Sequence, residues 1–137
     1  MSFELRDHTA DVAVAASAPT RSALFAAVAD GLAAAGCDEI PETGGDRFDV
    51  EVRAENVEAL LFDYLDQLIF ERDVRAVMPV DNEASVEERD GEWVLTGSAR
   101  GVSLDEIDAR EIKAVTYSEM RVEETDEGWE AYVVLDV

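Results

Sequence analysis

The chain has 137 residues, 47% of them hydrophobic, and carries 33 acidic against 11 basic residues for a formal net charge of −22. That length suits one domain, residues 1–137, with a real core, and the hydrophobic share excludes a disordered acidic tail. The charge disfavours direct nucleic-acid binding, because proteins that grip phosphate backbones present basic surface.

Lys113 is the sole lysine; every other basic residue is arginine. Such an acidic excess repels itself unless salt screens it, and at molar salt the Debye length falls to about 3 Å. The expectation is a halophilic acidic protein working in a salty cytoplasm. No apolar run approaches the roughly 18 residues of a membrane span, and "MSFELRD" lacks the basic start and apolar stretch of a signal peptide. Cys37 stands alone, which excludes an internal disulfide and fits a reduced, cytoplasmic setting.

Taken in chain order, "DVAVAAS" (11–17) alternates Val12 and Val14 with Ala13 and Ala15, so an inner strand is expected. Residues 20–35 read as a helix with Thr20 as N-cap. Leu24, Val28 and Leu32 form its stripe, joined by Phe25, and Gly36 sits where a glycine cap belongs. A loop (37–46) leads to "RFDVEVRA" (47–54), which alternates cleanly. Asn56 is the N-cap candidate for a second helix, 57–71, with a broad apolar face from Val57 to Leu68. Residues 73–82 read as an irregular connection, because Pro79 does not suit a central strand. Asp90-Gly91 between 84–89 and 92–101 predicts a two-residue hairpin. "SLDE" (103–106) has capping-box spacing for a short helix. "TDEG" joins strands 112–124 and 129–137 in a second hairpin. The order predicts an α+β sandwich, with two helices packed on one face of a mixed or antiparallel sheet.

Enzyme signatures are scarce. "ETGGDRF" lacks the lysine and helix of a phosphate loop, and no Cys or His pair has zinc spacing. Cys37 with His8 could form a nucleophile and base, but the negative end of a helix dipole disfavours a thiolate. Most acidic runs are solvated surface. Asp11 and Asp136 differ. One opens an apolar strand, and the other closes "YVVLDV", one residue from the terminal carboxylate of Val137. Were these groups adjacent, three carboxylates would converge and demand a cation or a proton. Oxygen-only ligands suit Ca²⁺ or Mg²⁺ better than zinc. Spacing alone leaves open the plainer reading, in which Asp11 caps a turn and Asp136 decorates a strand end. His8 in "DHTAD" is as readily a structural support of that turn as a functional group.

"DHTADVAV", "KAVTYSEM" (113–120) and the closing "VVLDV", with "ENVEALLFDYLDQLIF" (55–70) between them, together resemble the archease family over essentially the whole chain. The resemblance implies an α+β fold with helices packed on a sheet. It implies a protein that activates the RtcB-type tRNA-splicing RNA ligase, promoting its guanylylation and multiple turnover, and is not itself an enzyme. It also implies a divalent cation, Ca²⁺ or another, at a site matching Asp11, Asp136 and Val137. His8 and Lys113 become supporting candidates, Lys113 through an ion pair with the acidic end. Ser118 stands where many members carry histidine. No direct nucleic-acid or membrane contact is expected. Two other readings stand beside this one: a small metal-dependent hydrolase or nucleotide-processing enzyme built on His8 and Asp11, and a non-catalytic, chaperone-like binding module.

Overall fold

Two side-chain caps start the two helices. The Thr20 hydroxyl accepts from the Ala23 N–H at 3.1 Å, and Asn56 Oδ1 accepts from the Ala59 N–H at 2.8 Å. Both groups would otherwise leave first-turn donors unpaired. In the computed structural model, which describes residues 2–7 and 11–137, the chain runs β1 (Ser2–Asp7), β2 (Asp11–Ala18), α1 (Arg21–Gly36), β3 (Asp46–Ala54) and α2 (Val57–Arg75). It continues through β4 (Val77–Arg89), β5 (Glu92–Ser103), a 3₁₀ turn at Leu104–Glu106, β6 (Ala114–Thr125) and β7 (Gly128–Asp136).

The expected sheet is divided in two, and every pairing is antiparallel. One sheet has the order β1-β2-β7-β6 and the other β3-β5-β4. Both helices pack against both sheets. α1 meets β1, β2 and β7 of the first and β4 of the second, while α2 meets β3, β4 and β5 of the second and β6 of the first. The result is an open α+β sandwich. Its main core joins Val14, Val133 and Leu135 of one sheet, Val50, Leu95 and Ala99 of the other, and Leu24, Phe25, Leu60 and Leu65 between them.

This double coverage explains the composition of α1. Its expected stripe is buried, but so are Ala26, Ala27, Ala29, Ala33 and Ala35. A helix enclosed on most sides by strands needs small residues to let backbones approach. Gly31 shows how closely: a Cβ there would lie 2.5 Å from Val14 Cγ1. Gly36 is a correction of the same kind. It is the last helical residue and does not adopt a left-handed conformation; Cys37 is the C-cap, in extended conformation. The glycine instead makes room for Met78, whose Cε would meet an added Cβ at 2.6 Å.

Four further differences have physical causes. β1 was not expected; it forms the outer strand, with Phe3 opposite Ala16 and Leu5 opposite Val14. α2 runs four residues further, to Arg75, and ends at left-handed Ala76, whose N–H bonds back to Arg72 O. Pro79 lies within a strand, and β4 tolerates it because it is an edge of its sheet. The β6 strand begins at Ala114 and lapses between Thr116 and Arg121, where Glu119 takes a positive φ of 56°. The Asp90-Gly91 hairpin has the expected positive φ at both positions, 53° and 80°.

The open edge of the sandwich is clasped by one cation. The Arg21 guanidinium sits 4.5 Å from the Trp93 ring centroid on β5 and 4.8 Å from that of Trp129 on β7. Replacing Arg21 with alanine is expected to cost about 1–2 kcal/mol in urea unfolding and to shift tryptophan emission, since both rings lose the same cover.

Candidate functional site

β7 lies inside its sheet, between β2 and β6, and its last residue is Asp136. Along β2 and β7 the residues alternate between faces. Val12, Val14, Val133 and Leu135 pack toward the helical core, so Asp11 and Asp136 project from the opposite face. The register sets Asp11 directly across from Asp136, and Ala114 of β6 across from Asp136 on its other side. Directly opposed residues have Cβ atoms about 4.5–5.5 Å apart, and like charges so placed are destabilising. Both aspartates are half-buried.

Main-chain and side-chain bonds hold this end of the sheet. The Lys113 N–H donates to Asp136 O at 2.8 Å. Thr116 Oγ1 donates to Val134 O at 3.1 Å and accepts from the Ser118 N–H at 3.3 Å. The Lys113 side chain is exposed, and among the described residues it makes no ion pair. Its main chain, not its ammonium, is what ties it to Asp136. Val137 follows at once and is 39% exposed. His8 lies outside the described residues.

For a cation, this end offers the Asp11 and Asp136 carboxylates and main-chain oxygens such as that of Val137. Among the described residues no group of three or more His, Cys, Asp or Glu side chains is arranged to hold a metal. A cation here would therefore take two carboxylates, with main chain and water completing its shell. That donor set is all oxygen, as hard cations require, and a positive charge is what two facing carboxylates lack.

Cys37 is buried, and its thiol donates to Glu39 O at 3.0 Å. It borders a surface cleft of about 680 Å³ whose charged lining, including Asp38, Glu39, Glu106 and Asp108, is acidic throughout. Arg110 closes the C-terminal end of α1. Its guanidinium donates to Ala35 O at 2.9 Å and pairs with Asp38 at 3.0 Å, which raises its already high pKa.

Asp30, on α1, is the carboxylate that sequence patterning missed. Its Oδ1 accepts from both the main-chain N–H and the side-chain amide of Asn82, at 3.0 and 2.9 Å, anchoring the irregularity in β4. Burial raises the Asp30 pKa, the Asn82 bonds oppose that rise, and nearby Asp81 adds to it. The only sequence signal was an aspartate in an otherwise small, apolar helix. Because the folded pKa is raised, the native state holds this proton more tightly than the unfolded chain does. That contribution to stability is present in acid and is lost as pH rises through the folded pKa. Asp30→Asn keeps an acceptor for Asn82 without the charge. Its melting temperature relative to wild type is expected to improve from pH 4 to pH 7, as read by thermal unfolding across pH.

Comparison with known proteins covers nearly the whole chain. Residues 3–137 match the model of the Archease protein family (MTH1598/TM1083). The chain is 30% identical over 139 residues to the protein archease of Pyrococcus furiosus, covering 98% of both chains. It is 34% identical over 142 residues to that of Archaeoglobus fulgidus, covering 100% of both. Among solved structures, Methanobacterium thermoautotrophicum protein 1598 superposes with a TM-score of 0.84 at 28% identity, covering 99% of both chains. The crystal structure of a Thermotoga maritima archease, described as a possible chaperone, matches in fold with a TM-score of 0.64 at 20% identity, covering 98% of this chain and 96% of that one.

Proposed function

The chain belongs to the archease family, and from that premise we propose that it is a cytoplasmic protein activator of an RtcB-type tRNA-splicing RNA ligase. In this reading it promotes guanylylation of the ligase and its return to further rounds of ligation. The observation that carries the reading is the facing pair Asp11 and Asp136 at the end of the β2–β7 ladder. Main-chain pairing on both sides of Asp136 sets the register of this sheet end. That register can present the two carboxylates together to a partner.

In the proposed mechanism Asp11, Asp136 and the main-chain oxygen of Val137 would hold a divalent cation, Ca²⁺ or Mg²⁺. When bound, that ion would offset the repulsion between the carboxylates and supply positive charge near the phosphates of the ligase's nucleotide. The chain's own residues bind and orient. Lys113 and Thr116 fix the ends of β6 and β7 through their bonds to Asp136 and Val134. RNA need not be touched, and a charge of −22 opposes such contact. A chaperone-like role, the description attached to the Thermotoga maritima relative, is the second reading; it needs no cation.

The test is RNA ligation with substrate in excess over ligase. Asp11→Ala and Asp136→Ala are expected to lose most of the stimulation while folding as stably as wild type or more so, since each removes a like-charge opposition. Calorimetry is expected to show Ca²⁺ or Mg²⁺ binding by wild type that both variants lose. Full stimulation by both variants would remove the acidic end from the mechanism.

We also propose that the acidic surface is an adaptation to concentrated salt. Raising potassium chloride from about 0.1 M to about 1 M contracts the Debye length from about 10 to about 3 Å. The melting temperature is expected to climb over that range, and a flat response would exclude the adaptation.

A further inference from the structure

α2 carries an i, i+4 row that leaves the core along its length: Phe62 is half-buried and packs against the core, while Asp66, Phe70 and Val74 are exposed. Phe70 is 56% exposed and Val74 66%. Residues spaced by four form one ridge along a helix surface, the feature with which helices dock into grooves. The adjacent ridge is polar and bonded to itself. Gln67 Nε2 donates to Glu71 Oε1 at 3.2 Å, and Arg75 pairs with Glu71.

A second element extends the apolar ridge. Tyr117, 56% exposed, stacks on Phe62 with ring centroids 4.1 Å apart and planes within 5°. Tyr117 stands where β6 loses its pairing with β7, between Thr116 and Arg121. Such an irregularity re-aims side chains at a sheet edge, and here it brings an aromatic ring onto the helix. The row also has a definite position. α2 packs along β6, and further along it Leu68, Ile69 and Arg72 lie beside Ile112, while Arg72 donates to Arg110 O at 3.1 Å. Those contacts are made by the buried side of α2, so Phe70 and Val74 are left facing outward.

Exposed Asp63, Asp66, Asp73 and Glu119 surround these apolar side chains. The complementary surface is an apolar cleft rimmed by arginine or lysine. We propose that the row Tyr117–Phe62–Phe70–Val74 is the surface on which this chain docks its protein partner, and that the partner is the RNA ligase of the reading above, on which this proposal rests. The row supplies affinity, and the acidic end, on the other face of the β2–β7 ladder, supplies the effect on the ligase. A basic rim on the partner completes the pairing with the four acids at contact range.

The experiment is calorimetric titration of the purified ligase with wild type, with the double variant Phe70→Ser/Val74→Ser, with Phe70→Leu and with Asp66→Lys. Phe70 and Val74 are exposed, so the double variant is expected to unfold at the wild-type temperature. It is expected to bind about tenfold more weakly or worse. Phe70→Leu keeps the apolar contact and binds nearly as wild type, while Asp66→Lys also weakens binding. In ligation assays saturating amounts of the double variant restore full stimulation, which Asp11→Ala does not. Wild-type affinity in the double variant overturns the docking row and leaves the activator reading standing. A wild-type chain that neither binds nor stimulates the ligase overturns both.

Discussion

The structure depends on the antiparallel pairing of β2 with β7. This ladder opposes Val12 to Leu135, Val14 to Val133 and Ala16 to Ala131 on the helix-facing side. On the other side it opposes Asp11 to Asp136. The two sets cannot be separated. Strand side chains alternate with period two, so a slip of one residue would carry the valines out of the core and the aspartates into it. The burial energy of the core thus enforces the carboxylate pair, although the pair itself is repulsive. The core is large enough to impose it: each fully buried valine or leucine contributes about 1.5–3 kcal/mol.

The same ladder helps to explain the helices. Its inner face is rich in valines and alanines, small enough for α1 to lie close, and at Gly31 the helix backbone closely approaches Val14. α1 is then free to pack β4 of the second sheet on its other flank, where Ala33 and Cys37 meet Met78, Val80 and Val102. α2 has a different task. Its inner side, with Leu60, Leu61, Tyr64, Leu65 and Leu68, is buried, while Phe70 and Val74 face outward. One helix is consumed by the fold, and the other keeps a surface for an outside contact.

Elements with local causes were legible in the sequence. Thr20 and Asn56 cap their helices because a short oxygen-bearing side chain can reach an N–H three residues on. Asp90-Gly91 makes its turn because both positions tolerate positive φ. Elements whose cause is a neighbour were not. Pro79 argued against a strand until β4 proved to be an edge, and Gly36 suggested a cap until Met78 proved to fill the space above it. β1 is short, and its Phe3 and Leu5 remain 39% exposed, so little in its pattern distinguished it from a leading tail.

By itself the sequence determined the class of fold, the extent of most helices and strands, the acidic surface and the two aspartates at strand ends, though not Asp30. Resemblance to a family added an expectation of what such aspartates do. Only the tertiary structure decided that the strands divide into two sheets, that α1 is enclosed by both, and that Asp11 lies across from Asp136. The physical reason is range. Caps, turns and periodicity are set by interactions a few residues long, which the order of residues displays directly. Register between distant strands is set by the packing of a whole core, and the order of residues displays it nowhere.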